Sequence, residues 1–261
     1  MQAVKLSTRK DFMRYYFAPM EGLTDGIFRK LHHQFFPGID RYYTPFFSPT
    51  VHRHLTNREE RELPMADSVD FEVVPQLLTK NAEDFLWMAR EIRDRGYREV
   101  NLNLGCPSGT VVAKGKGSGM LASPDVLDEF LEAIFGQAPL PISIKTRIGV
   151  QSPEEFSKIL EIYCRYPLAE LIIHPRVRKE FYNGSLHMDC FRRALETAPF
   201  PVCFNGNLCS AAQIQAVHDA YPAVPAVMLG RGLIGDPGML TPGGTDTGTL
   251  AAFHDALLSE Y

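Results

Sequence analysis

Residues 99–107 read EVNLNLGCP and residues 141–149 read PISIKTRIG, and the alternation within these two stretches decides the fold. In the first, Val100, Leu102 and Leu104 alternate with Asn101 and Asn103; in the second, Ile142, Ile144 and Thr146 alternate with Ser143, Lys145 and Arg147. A period of two belongs to a β-strand, which turns successive side chains to opposite faces. Between them, Ser123-Pro124 opens a helix signal whose apolar stripe is Leu127, Phe130, Leu131 and Ile134, with Gly136 as its stop. Strand, helix and strand in that order predict a parallel pair joined by a crossover helix.

The same unit recurs outward in both directions. Candidate strands fall at residues 16–19, 41–44, 73–78, 99–103, 142–147, 170–174, 202–205 and 226–229. Ser152-Pro153-Glu154-Glu155 combines a Ser N-cap, Pro at the first helical position and a capping-box Glu, followed by the stripe Phe156, Ile159, Leu160 and Tyr163. Phe85, Met88, Ala89 and Ile92 form another stripe closed by Gly96, and Ser210 caps a helix carrying Ile214 and Val217. Eight strands in 261 residues favour a closed (β/α)8 TIM barrel over an open doubly wound sheet. The charged run Arg58-Glu59-Glu60-Arg61-Glu62 reads as a solvated loop. Residues 1–240 are assigned to the barrel. Residues 241–249 (TPGGTDTGT) read as a linker, and 250–261, with Phe253, Ala256 and Leu257 on one side, as the start of a truncated C-terminal helical extension.

Composition bounds the functional classes. With 27 basic and 31 acidic side chains the net charge is −4, and 45% apolar with 22% charged residues is ordinary globular composition. Bulk positive charge is absent, so contact with nucleic acid requires local concentration of cations. The five cysteines are far apart with no Cys-x-x-Cys pair, which argues against a disulfide scaffold or a four-cysteine zinc site and predicts no metal. The first fourteen residues lack an apolar h-region and no apolar run has membrane-spanning length, so the expected location is cytoplasmic and no membrane is involved.

The polar members of the strands point to a site. If the apolar sets face the helices, Gln76, Asn103, Lys145, His174 and Asn205 project inward at C-terminal strand ends, the catalytic face of such a barrel. Converging buried polar groups require a polar ligand or trapped water. Asn205-Gly206-Asn207 and Gly230-Arg231-Gly232 follow the last two strands, where glycines let backbone N–H groups approach a phosphate and Arg231 adds charge. No G-x-G-x-x-G follows the first strand, which disfavours a Rossmann cofactor site. Cys106 closes the fourth strand, and the stretch after it, SGTVVAKGKGSGML, has the glycines of a mobile lid. A free thiol is mostly protonated at neutral pH and can donate a proton without tuning. Lys114 and Lys116 in the lid, with Arg176, Arg178 and Lys179 after His174, give a basic rim suited to a solvated face or to an anionic polymer. Tyr15, Tyr16, Tyr42, Tyr43 and Tyr182 are core residues or stacking surfaces.

These motifs together resemble the tRNA-dihydrouridine synthases. The resemblance runs from Phe17 to Gly235 through Ala18-Pro19-Met20-Glu21-Gly22, Asn103–Pro107 with its lid glycines, Lys145-Thr146-Arg147-Ile148-Gly149, His174-Pro175-Arg176, Asn205-Gly206-Asn207 and Gly230-Arg231-Gly232. It implies a barrel holding FMN, reduced by NADPH or NADH, that saturates the C5–C6 bond of uridine in tRNA. Carried over by position, Cys106 protonates C5 while the flavin delivers hydride to C6. Pro19, Met20 and Glu21 lie against the flavin, and Gln76, Lys145 and His174 bond its ring system or ribityl chain. Asn205, Gly206, Asn207, Gly230 and Arg231 hold the phosphate, Asn103 sits between flavin and uracil, and Lys114, Arg147, Arg176 and Arg178 meet the substrate. Two departures stand out: Pro175 replaces the family's usual glycine, and the family's C-terminal helical domain is reduced to about its opening helix. Two alternatives follow from the short tail: an FMN-dependent reductase of a small-molecule enone or pyrimidine, or a catalytically idle tRNA-binding protein on the same fold.

Overall fold

The computed structural model describes residues 13–50 and 52–261, so most of the N-terminal stretch read as lacking an apolar h-region lies outside the described residues. The strands are β1 (Arg14–Phe17), β2 (Arg41–Tyr43), β3 (Val73–Val74), β4 (Gln76–Leu77), β5 (Val100–Leu104), β6 (Ile142–Arg147), β7 (Leu171–His174), β8 (Val202–Phe204) and β9 (Ala226–Leu229). All pairs are parallel, in the order β3-β2-β1-β9-β8-β7-β6-β5-β4. The stretch 73–78, read as one strand, is two: Pro75 has no N–H to give a ladder and divides it. Its first half pairs with β2 and its second with β5, while Phe47 bridges Leu77 and the Pro75 carbonyl accepts from Asn101 N at 2.9 Å. The ring therefore closes through the proline, and the architecture is the (β/α)8 barrel that the alternation predicts.

The helices are α1 (Gly26–Phe35), α2 (Asn57–Glu62), α3 (Ala82–Asp94), α4 (Gly109–Val112), α5 (Pro124–Phe135), α6 (Phe156–Tyr163), α7 (Met188–Thr197), α8 (Ala211–Ala220), α9 (Arg231–Gly235) and α10 (Thr247–Glu260). The stripes read from the sequence are buried: Phe85, Met88, Ala89 and Ile92 on α3, Leu127, Phe130, Leu131 and Ile134 on α5, Phe156, Ile159, Leu160 and Tyr163 on α6. They pack on the outward strand residues Val100, Leu102, Leu104, Ile142, Ile144, Leu171 and Ile173. Each such Leu or Ile contributes roughly 1.5–3 kcal/mol by leaving water. The Ser152–Glu155 capping box forms as read, over a 3-10 turn that leads into α6.

Two readings are corrected. The charged run at 58–62 is helical, capped by Thr56 and Glu59, and its last residue turns inward: Glu62 lies 3.2 Å from the buried Arg29 and accepts from Gly26 N. The linker read at 241–249 is shorter than that, because α10 already begins at Thr247. Phe253 of α10 is buried among Phe28, Phe35 and Phe36 of the α1 region, and Tyr261 OH donates to Asp25, the cap residue of α1, at 2.6 Å. The helix thus joins the outer layer of the barrel.

Inside the ring, Tyr16, Tyr43, Val74, Ile172, Cys203, Ala226 and Met228 form a separate apolar plug. Below it, at the N-terminal strand ends, Arg41 pairs with Glu72 (2.7 Å) and Glu99 (3.0 Å), and Tyr16 OH donates to Glu170 at 3.0 Å. Above it the mouth opens.

Candidate active site

The register sets Asn103 beside Lys145 and Arg147 beside His174, so adjacent strands deliver inward polar side chains to the C-terminal end together. They line a cavity of 320 Å³ with Pro19, Met20, Glu21, Gln76, Cys106 and Asn205. A second lobe of 280 Å³ continues past Asn205 to Gly206, Asn207, Gly230 and Arg231. The lobes share Pro19, Met20, Lys145, His174, Tyr182 and Asn205, so they are contiguous.

A carboxamide chain fixes one wall. Asn103 Nδ2 donates to Gln76 Oε1 (2.7 Å), Gln76 Nε2 to Asn101 Oδ1 (2.8 Å), and Asn101 Nδ2 to Ser143 Oγ (2.8 Å). Asn103 Oδ1 accepts from the backbone N–H groups of Gly105 and Cys106, at 3.0 and 2.9 Å. The Cys106 carbonyl accepts from Ser118 N and Oγ, at 3.1 and 2.7 Å, so the half-buried thiol is held from both sides of its residue. Arg147, buried, ties the same turn down through Nε to the Gly105 carbonyl at 2.9 Å. The loop read as a mobile lid folds as α4 and a 3-10 turn over Gly117–Ala122 against this turn. Gly117 is left-handed (φ +57), and a Cβ there would come within 3.0 Å of the Cys106 carbonyl oxygen.

Charge is one-sided at the mouth. His174 Nδ1 donates to the Asn205 carbonyl at 2.8 Å, which leaves Nε2 as an acceptor facing Arg176 Nη1 at 3.3 Å. Burial, then the nearby Lys145 and Arg147 charges, push its pKa down to about 2, so the ring is neutral at working pH. Burial and Arg147 lower Lys145 to about 8. Among the described residues neither Lys145, Arg147, Arg176 nor Arg231 lies in ion-pair reach of a carboxylate; Glu21 pairs outward with Arg58 at 2.8 Å. Arg176 Nη1 and Arg231 Nη2 instead converge on one neutral acceptor, Asn207 Oδ1, at 3.2 and 3.3 Å. Asn207 adopts φ +46 to reach it. Gly232 allows the last turn: a Cβ would lie 2.1 Å from the Leu208 carbonyl oxygen.

The structure gathers nearly all the residues read from the sequence and separates three. Arg176 is 1% exposed and lines neither lobe; it bonds the Gly184 carbonyl and braces His174 and Asn207 from behind. Arg178 stands beside Phe181 (5.7 Å), and Lys114 is exposed on the glycine loop, both outside the cavity lining. Pro45 and Phe46, after β2, join the wall without having been singled out, because a short apolar run after a strand carries no chemical signal. Tyr182 lies between the guanidinium carbons of Arg147 and Arg231, 5.4 and 5.1 Å from its ring centroid. Among the described residues no three His, Cys, Asp or Glu side chains gather as a metal site, and no helix is long and apolar enough to cross a membrane.

The family model for dihydrouridine synthase matches residues 16–253. The chain belongs to the dihydrouridine synthase family. Curated relatives agree: tRNA-dihydrouridine synthase B of Yersinia pestis is 30% identical over 222 residues, covering 84% of this chain and 68% of the relative. The Proteus vulgaris protein of the same name is 29% identical over 84% of this chain and 67% of the relative. A probable tRNA-dihydrouridine synthase of Staphylococcus aureus is 29% identical over 234 residues. Among solved structures, morphinone reductase superposes with a TM-score of 0.64 at 12% identity, over 90% of this chain and 88% of that chain, which establishes a shared barrel fold. The two-lobed cleft carries the Cys106 thiol in its first lobe, Cys209 in its second and an excess of cations without ion-pair partners among the described residues.

Proposed function

We propose that this chain reduces the C5–C6 double bond of uridine in tRNA to dihydrouridine, with FMN held in the two-lobed cleft and NADPH or NADH as the source of electrons. The observation that carries the reading is Lys145: its ammonium projects into the cleft beside Asn103 and His174 without a hydrogen-bond acceptor among the described residues. A half-buried ammonium that no protein acceptor meets favours a ligand that brings one, and a carbonyl-rich ring would supply it. The residues present fit the group. Lys145, Gln76 and the edge of the His174 ring suit a ring system, Pro19, Met20 and Glu21 border it, and Asn205, Gly206, Asn207, Gly230 and Arg231 suit a phosphate end.

Bound FMN would supply the hydride that adds to C6 of the uracil. The chain's own residues do the rest. Cys106 donates its Sγ proton to C5, so the carbon pair gains one hydride and one proton, and the thiol recovers its proton from solvent at the mouth. Asn103 fixes where that sulfur stands, because its carboxamide oxygen holds the Cys106 N–H while its nitrogen is pinned to Gln76. Arg147 anchors the same turn and offers positive charge where the pyrimidine accumulates negative charge. A uracil stacked within an RNA helix cannot reach a cavity of this depth, so the nucleotide enters flipped out.

The test is direct. Purified protein reconstituted with FMN should show flavin absorbance and convert uridine in tRNA stripped of dihydrouridine, read by mass spectrometry of digested nucleosides. Failure to bind FMN, or steady reduction of a free enone with tRNA left unmodified, would overturn the reading.

A further inference from the structure

Three lysines from two loops meet on the rim beside the Cys106 turn. Lys80, between β4 and α3, lays its side chain across Gly115, its Nζ 3.8 Å from where a Cβ on that glycine would stand. Lys114 and Lys116 flank the same glycine. Lys116 Nζ donates to Ser48 Oγ at 2.9 Å, which binds the glycine loop to the segment that carries Pro45 and Phe46 into the cavity wall. Gly115 is left-handed (φ +68), and this turn brings the two lysines of the loop to the side where Lys80 lies. Among the described residues none of the three is in ion-pair reach of a carboxylate; the nearby Asp84 is bonded to Arg53. Burial and its two lysine neighbours depress the Lys116 ammonium. Three cations with only Asp84 nearby, itself paired with Arg53, repel one another, and an anion set among them removes that cost.

The three lysines line neither lobe; the loop that carries two of them follows Cys106 and is tied through Ser48 to the segment of Pro45 and Phe46, while Arg231 and the exposed ring of Tyr182 line the second lobe. We infer that Lys80, Lys114 and Lys116 form a phosphate clamp that holds the RNA strand beside the reacting uridine on the Cys106 side of the mouth. The inference rests on the proposed tRNA reductase reading and names the part of the substrate that this rim takes: backbone phosphate adjoining the flipped nucleotide. A phosphate contact gives affinity without base specificity and makes it salt-dependent.

The test is tRNA binding by the FMN-loaded protein across a salt series, with turnover on the same RNA. In Lys80→Ala/Lys114→Ala/Lys116→Ala the slope of log affinity against log salt should fall by about one for each lysine that meets a phosphate, with KM raised about tenfold or more and kcat at saturating tRNA retained. Lys80→Ala/Lys114→Ala keeps the Lys116–Ser48 bond and should give the intermediate slope; it excludes damage to the loop, which would instead lower kcat and flavin retention. Unchanged slope and KM in both variants, with a wild type that binds and modifies tRNA, overturns the clamp alone. A wild type that does not bind tRNA overturns the clamp and the proposed function together.

Discussion

The two ends of the barrel interior carry similar amounts of charge and use it in opposite ways. At the N-terminal floor, Arg14 and Arg41 face Glu72, Glu99 and Glu170, with Tyr16 donating to Glu170 and lying under both guanidinium groups at 5.4 Å. At the C-terminal mouth, Lys145, Arg147, Arg176 and Arg231 gather with no carboxylate of the described residues in ion-pair reach, Glu21 on the wall being paired outward with Arg58. Charges that answer one another inside the chain hold strands together. Charges left unanswered lower stability, and in the proposed reading a bound cofactor and RNA would answer them.

The difference can be broken from either end. The largest effect belongs to Cys106→Ala, which should lower the rate of dihydrouridine formation by about 10²–10⁴ while flavin absorbance and Tm stay near wild type, since the thiol donates a proton and braces nothing. Arg41→Met should do the reverse. Leaving Glu99 without its cation, with Glu170 still faced by Arg14, should cost about 3–5 kcal/mol in denaturant unfolding, with little change in the FMN affinity of the protein that remains folded.

Lys145→Met sharpens the contrast because it should separate binding from stability. FMN affinity falls, by about tenfold or more, because the acceptor-seeking ammonium is gone. The Tm of the flavin-free protein at pH 7 rises, because a cation that burial and Arg147 disfavour has been removed. The sign follows from linkage: folding lowers the Lys145 pKa from 10.5 to about 8, so the folded state binds fewer protons than the unfolded chain between those values. The penalty is full below pH 8 and fades toward 10.5, and the advantage of the variant should fade with it.

The smallest effect is at Glu170, whose carboxyl burial lifts from 4.5 to about 7. The folded state keeps a proton there that the unfolded chain releases, so this contribution is complete below about pH 4.5 and is lost as pH rises through 7. Thermal unfolding of Glu170→Gln between pH 5 and 8 should therefore decline less steeply than wild type. A parallel decline in both proteins would remove Glu170 from the account of the floor.

Much of this was legible in the chain. The period of two at 100–104 and 142–147 fixed both the strands and which residues turn inward, because a strand cannot hide one face without exposing the other set. Asn103, Lys145, His174 and Asn205 follow from that alternation alone, and the helix stripes follow likewise from their own period. Arg176 was not legible: it follows His174 by two residues, yet the Pro175 turn sends it behind the wall to the Gly184 carbonyl, a contact that no spacing rule encodes. Pro75, as a residue without a donor, announced a weak strand but not that the ring would close across it.

What the chain alone determined was periodicity, and with it the barrel, its inward set and the lone thiol among its glycines, since these follow from backbone geometry within a few residues. What only three dimensions decided was company: that Gln76 answers Asn103, that Lys80 leans across Gly115, and that no acceptor among the described residues answers Lys145. Those depend on which distant loops share a corner of space, and hydrogen bonds and charges act there through distance rather than along the sequence.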